Sequence, residues 1–219
     1  MVERPLVVAH RAGNDADRLR EAEALGVDMI EADLHLFRGE IEVRHAKTLG
    51  PLPVLWERWR LVRPFAPRMR FADLLRTAAP ETRLMLDLKG PFPGLSRRVL
   101  DVLEGRGQGR RYAVCARNWV LLRPFAGLPG VVTIRSVGGP LGLRYLLWRH
   151  RGRLDGISVD QRLLTADVMT RLRERTDLVM TWGVTTAERM GELAGMGVRA
   201  FSLDDEGLMR AALATVSLR

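Results

Sequence analysis

The sequence predicts an α/β fold, a single-domain (β/α)8 TIM barrel, and three observations carry that prediction. Eight short runs rich in apolar and β-branched residues recur along the chain, segments of helical periodicity separate them, and polar or charged residues close most of the runs. At 219 residues and 47% hydrophobic content the chain is long enough for one well-buried core and short for two. Eight parallel strands with intervening helices in one small domain favour a closed barrel over the alternative, an open doubly wound sheet.

The predicted strands, in order, are "PLVVAH", "DMIEADLHL", "RLMLDLK", "YAVCAR", "VVTIRS", "GISVD", "LVMTWGV" and "RAFSLD". Helical segments such as "DADRLREAEALG", "PGLSRRVLDVLEG", "TADVMTRLRERT" and "TAERMGELAGMG" lie between them. Several open on Asp or Thr and close on Gly, the residues that satisfy helix ends. Residues 41–70 break the rhythm. There "EIEVRHAKTLG" reads as a short extra strand and turn, and "PVLWERWRLVRPFAPRMR" is rich in Arg, Trp and Pro before a helix begins near "RFADLLRTA". This stretch is expected as an excursion over the barrel mouth, with 1–219 read as one domain.

Composition narrows the function classes. Met1 to Pro5 lead straight into a strand with no leader-like segment, and no apolar stretch reaches the ~20 residues of a membrane-spanning helix. With a single cysteine, Cys115, no internal disulfide can form, so a cytoplasmic protein is expected and Cys115 is read as a small buried hydrophobe. The net charge of +9 invites an anionic partner. The arginines are spread along the chain without a recognised nucleic-acid motif, so nucleic acid is not the expected partner. Of the 35 basic residues only Lys47 and Lys89 are lysines. A lysine kept against such an arginine bias points to a place where a compact ammonium is needed.

In a barrel the C-terminal strand ends converge on one face, where catalytic groups gather. Those ends carry His10 and Arg11, Glu31 and Asp33, Asp87 and Lys89, then Arg117, Arg135, Asp160, Trp182 and Asp204, with His45 on the excursion. Glu31 and Asp33 are two apart in a strand and face the same side. Inward carboxylates repel and lose hydration unless a cation neutralises them. With Asp87 as a third acid, the set suits one hard divalent cation, Mg2+ or Ca2+, better than zinc. Taken singly, each acid is explained by pairing with an arginine; the three together point to the metal. His10 and His45 offer a general base and a general acid, while His35 and His150 are read as structural. Arg11 and Lys89 beside a metal would complete a phosphodiester site. Asp160 is a pocket residue or a helix cap.

Five of these stretches, "AHRAGND", "GVDMIEADLHL", "GEIEVRHAKTLG", "LMLDLKG" and "VMTWGVTTAERMGELAGMGVRAFSLDD", resemble in order and spacing the motifs of the glycerophosphodiester phosphodiesterases. The resemblance runs from His10 to Asp205. It implies a metal-dependent barrel enzyme that hydrolyses glycerophosphodiesters to glycerol 3-phosphate and an alcohol, a phosphodiesterase of lipid metabolism. Glu31, Asp33 and Asp87 would then hold the metal, His10 and His45 form the acid–base pair, and Arg11 and Lys89 bind the phosphate. Trp182 would line the glycerol pocket or else fill the top of the core. The departures are specific: Ala12 stands for the family's Gly, Gly13 for the Glu of Glu-Asn-Thr while Asn14 keeps its Asn, and Ala46 for the Asp after the second His. Asp87 stands for Glu, and "FSLDD" lacks the usual Thr and Pro.

Two further readings come from the rest of the chain. In 54–70, Trp56, Trp59, Leu61, Val62 and Phe65 interleave with Arg58, Arg60, Arg63, Arg68 and Arg70. Such a stretch can make peripheral contact with an anionic membrane, which would suit a lysophospholipase D-like enzyme acting on lipid-derived diesters, or it can pack over the barrel with its arginines in water. The third reading is a catalytically inactive barrel that binds phosphate or nucleic acid, since fold alone does not guarantee activity.

Overall fold

The computed structural model describes residues 4–49, 52–57, 60–62, 69–92, 94–106, 109–149 and 152–214. The chain begins with β1 (Leu6–Ala9) and β2 (Met29–Phe37), followed by an insertion holding β3 (Glu40–Val43), β4 (Lys47–Leu49), β5 (Leu52–Glu57), β6 (Arg60–Val62) and β7 (Met69–Arg70). Then come β8 (Leu84–Lys89), β9 (Tyr112–Ala116), β10 (Val131–Val137), β11 (Gly156–Asp160), β12 (Val179–Trp182) and β13 (Ala200–Leu203). The sheet runs β1-β13-β12-β11-β10-β9-β8-β2, and β2 closes on β1 through Val8↔Met29 and Ala9↔Ile30. All eight junctions are parallel, so the predicted barrel closes as a (β/α)8 fold.

Strand alternation sorts the core into two shells. Val8, Met29, Met85, Ala113, Cys115, Ile134, Met180 and Ala200 form one buried cluster inside the barrel. The intervening strand residues, among them Leu34, Leu86, Val114, Ile157 and Phe201, pack outward against the helices in a second, larger cluster. Each fully buried Leu or Phe contributes about 1.5–3 kcal/mol.

Outside the strands lie α1 (Ala16–Leu25), α2 (Phe71–Thr77), α3 (Gly94–Arg106), α4 (Pro140–Arg149), α5 (Ala166–Arg173), α6 (Ala187–Gly195) and α7 (Glu206–Ala214). Local signals account for their ends. The Asp15 carboxylate accepts from the Asp17 and Arg18 amides to start α1, and Gly26 at φ 74° ends it. Thr165 and Thr186 cap α5 and α6 in the same way. Between β9 and β10 the crossover is a 3-10 helix, Trp119–Phe125, containing Pro124.

The excursion begins as a hairpin. β3 returns antiparallel along the end of β2, from Phe37↔Glu40 to Leu34↔Val43, across a turn in which Arg38 and Gly39 both take positive φ (50° and 85°). β7 pairs with β3, and β4, β5 and β6 make a separate antiparallel sheet. In the basic-aromatic stretch, residues 58, 59 and 63–68, and the side chains from Trp56 to Arg68, lie outside the described residues. Among the described residues no helix is long and apolar enough to cross a membrane.

Candidate active site

Above its apolar floor the barrel interior turns polar. Ser136, Ser158 and Ser202 are buried inward-facing residues, and above them stand the charged strand ends. Glu31, Asp33 and Asp87 converge as expected: each offers a carboxylate oxygen, and these oxygens lie within 4.8 Å of one another. Asp33 on β2 pairs in register with Asp87 on β8.

The three acids differ because their partners differ. Burial, reinforced by Asp33 and then Asp87, pushes Glu31 well above the usual glutamate range. Burial also works to raise Asp33, but Lys89 Nζ, 2.7 Å from Asp33 Oδ1, and the Asn14 amide hold it below the usual aspartate range. For Asp87 burial prevails over the contacting Lys89 ammonium and the carboxyl is raised. Lys89 itself is pushed up by Asp87, Asp33 and Glu31 in spite of its burial. Lys89 thus bridges two acids, a place that fits an ammonium and would crowd a guanidinium.

Arg11 takes the left-handed conformation, φ 56°, which a non-glycine residue adopts at some cost. Its amide donates to Glu31 Oε2 at 2.6 Å, which ties the turn to β2. The following 3-10 turn, Ala12–Asn14, lies along the same strand: Asn14 Nδ2 donates to Asp33 Oδ2 (2.7 Å) and the Asp33 amide donates to Asn14 Oδ1 (2.8 Å). The room for this turn explains one departure from the family pattern. A Cβ on Gly13 would meet Ala32 Cβ at 2.8 Å and the Glu31 carbonyl oxygen at 3.0 Å, so no side chain fits where the family has Glu.

The histidines occupy different settings. His10 Nδ1 lies 2.8 Å from Asp204 Oδ1, and its Nε2 lies 4.0 Å from Glu31 Oε2. The contact with His10 holds Asp204 below the usual aspartate range. His45 Nε2 lies 2.6 Å from Arg11 Nη2 and accepts from the guanidinium. His35 is buried; burial, with the Arg44 guanidinium beside it, pushes the imidazole down to about 3. It is neutral near pH 7. His150 lies outside the described residues.

Trp182 ends β12 with the Arg117 guanidinium 5.5 Å from its ring centre. Asp160 is a cap: its carboxylate accepts from the Arg162 amide and pairs with the Arg162 side chain. Arg135 does not join the mouth. It alternates with inward Ile134 and lies on the outer side, 5.5 Å from the Trp119 ring centre. Asn14, Asp204 and the serine ring carried no role in the sequence reading; the inward alternation of Ser136, Ser158 and Ser202 was the signal available for the last. A cavity of about 470 Å3 opens at the opposite end of the barrel, and its Arg4 and Arg153 are already paired with Asp28 and Asp177.

The fold and this mouth define a class, the (β/α)8 barrels with an acidic and imidazole-bearing C-terminal face. No protein-family model and no curated protein matches the chain. Solved structures do. A candidate glycerophosphoryl diester phosphodiesterase from Silicibacter pomeroyi shares 16% identity at a TM-score of 0.78, over 100% of this chain and 96% of its own. An Oleispira antarctica phosphodiesterase in complex with the product sn-glycerol-3-phosphate shares 16% at 0.71, over 97% and 98%. The Thermotoga maritima glycerophosphodiester phosphodiesterase shares 14% at 0.70, over the full length of both chains. At these identities the likeness establishes the fold.

Proposed function

We propose that this chain is a metal-dependent glycerophosphodiester phosphodiesterase that releases glycerol 3-phosphate and an alcohol. The carrying observation is the convergence of Glu31, Asp33 and Asp87 within 4.8 Å beside His10 and Arg11. The residues fit a cation: the donors are all carboxylate oxygens, Asp87 Oδ1 is buried without a hydrogen-bond partner, and burial, with the charges of Asp33 and Asp87, raises Glu31. That donor set suits Mg2+ or Ca2+. When bound, a divalent cation supplies charge and Lewis acidity at a phosphoryl oxygen.

The chain's own groups supply the rest. With Nδ1 directed at Asp204, His10 presents Nε2 toward the acids and is placed to take a proton from the nucleophile. His45 serves as the acid for the leaving alkoxide. Its Nε2 accepts from Arg11 while neutral, and protonation there breaks that bond and frees the guanidinium for the phosphate. Lys89 adds a fixed positive charge, and Trp182 with Arg117 walls the side toward the glycerol. A cytoplasmic setting and lipid-derived substrates belong to the same reading.

The test is hydrolysis of glycerophosphocholine and glycerophosphoethanolamine, in EDTA and after restoring Mg2+ or Ca2+, with His10→Ala and Asp33→Ala alongside. Metal-dependent release of glycerol 3-phosphate, abolished by both substitutions, is expected. A folded protein that turns over neither diester with either metal would leave the inactive binding barrel.

A further inference from the structure

Charge is segregated in this chain far more sharply than its arginine count suggests. Between Gly105 and Leu154 lie ten arginines and no aspartate or glutamate, so the whole net charge of +9 falls in this stretch and the remainder is within one charge of neutral. The stretch folds as β9, the Trp119–Phe125 helix, β10 and α4, one sector of the barrel wall.

On that sector α4 is apolar on two opposite faces. Leu143, Leu146 and Leu147 pack against the barrel. At about 100° per residue, Leu141, Tyr145 and Trp148 fall within a narrow stripe on the opposite side. They are 81%, 50% and 69% exposed. Arg144 and Arg149 flank the stripe on either edge, both exposed, and Arg149 lies 5.4 Å from the Trp148 ring centre. The Trp119–Phe125 helix continues the surface. Trp119 stacks on Tyr145 at 5.7 Å between ring centres, and Val120 and Arg123 are exposed beside it. Core packing explains none of the outward residues, and an exposed apolar stripe edged by arginines is the pattern of a helix lying at a lipid–water interface.

We infer that the outer face of α4 and the adjoining Trp119–Phe125 helix docks this protein on an anionic lipid surface. The charge selects the occupant. A second copy would set Arg123, Arg144 and Arg149 against the same three arginines with no acid on the face to offset them, and a duplex nucleic acid would satisfy those arginines but leave Leu141 and Trp148 without apolar contact. Anionic headgroups over acyl chains satisfy both. The docking face lies outside the catalytic mouth and stands whether or not the proposed hydrolysis is correct.

The test is flotation with vesicles of phosphatidylcholine alone and of equal parts phosphatidylcholine and phosphatidylserine. Two exposed pairs are changed, Leu141→Ser with Trp148→Ser and Arg144→Glu with Arg149→Glu, and thermal melting confirms that both fold. Binding to the mixed vesicles only, weakened by salt and reduced about tenfold or more by each pair, is the expected result. Hydrolysis of water-soluble glycerophosphocholine stays unchanged in both. Absence of binding to mixed vesicles overturns the inference. So does binding that neither pair weakens, which would move the contact to another face such as 54–70. Retention on duplex DNA without vesicle binding, or a dimer that the serine pair dissolves, would assign the face to those partners instead.

Discussion

Gly13→Ala tests the idea that a missing side chain, rather than a missing carboxylate, builds the site. The new Cβ would stand 2.8 Å from Ala32 Cβ and 3.0 Å from the Glu31 carbonyl oxygen, against an ordinary carbon contact of about 3.5–4.0 Å. Both neighbours belong to β2 in the barrel wall, so the Ala12–Asn14 turn must move by ~1 Å. Overpacking of this kind costs about 1–3 kcal/mol. The same shift stretches the Arg11 amide bond to Glu31 and the paired Asn14–Asp33 bonds, now 2.6–2.8 Å, two of which contribute more than a neutral bond because a carboxylate accepts them. A total of about 2–4 kcal/mol is expected, which for a chain of this size lowers Tm by roughly 5–15 °C in differential scanning calorimetry. Displacing Arg11 and Asn14 by ~1 Å, and with Asn14 the bonds that orient Asp33, would also cut hydrolysis about a hundredfold. A Gly13→Ala protein that melts within about 1 °C of the parent and keeps its activity would refute this account of the turn.

Three other outcomes follow from the same geometry. Asp204→Asn removes the charge facing His10 Nδ1 and is expected to lower kcat about ten- to a hundredfold with KM little changed, and to move the acidic limb of the rate–pH profile; an unaltered profile would leave Asp204 without a positioning role. Glu31 is raised in the folded chain, so in EDTA it loses stability as pH rises above about 4.3, where the unfolded carboxyl has released its proton and the folded one has not. Glu31→Gln should therefore gain stability over the parent as pH rises, and a gap independent of pH in urea titrations would contradict it. His35 works in the opposite sense. Held down to about 3, it stays neutral while the unfolded imidazole protonates, so the parent should lose stability relative to His35→Gln as pH falls below about 6.5, a trend absent if His35 were solvated.

Much of the fold was legible because barrel strands carry a simple local signal. Each of the eight predicted runs lies within two residues of an observed strand, since apolar β-branched runs bounded by turns have few other uses in an α/β chain. The parity of Glu31 and Asp33 likewise followed from the two-residue period of a strand. What escaped depended on context. Arg135 lies near the end of a run that reads like its neighbours, but the parity of β10 turns it outward toward Trp119. The crossover after β9 is a 3-10 helix in which Pro124 removes an amide donor. Asp204 meets His10 across 194 residues, a contact no local pattern encodes. Gly13 read as a lost carboxylate; only the distance to Ala32 shows that the position has no room for one.

The layering of the barrel interior links stability to the proposed chemistry. Met29, Met85, Ile134 and Met180 make an apolar floor directly beneath the strand ends, and the packing that closes the barrel also buries Glu31 and Asp87. In that setting three carboxylates repel strongly. Lys89, the ammonium in contact with Asp33 and Asp87, offsets one of the three charges, while Arg11 stands 3.9 Å from Asp33 with its guanidinium engaged by His45. Without a cation, burial and the neighbouring carboxylates favour the protonated form of Glu31, and a divalent ion would compete with that proton. The coupling predicts that Mg2+ or Ca2+ raises Tm by a margin that shrinks as pH falls, because the proton and the ion compete for one site. A metal-induced shift in Tm independent of pH would place the ion elsewhere on the chain.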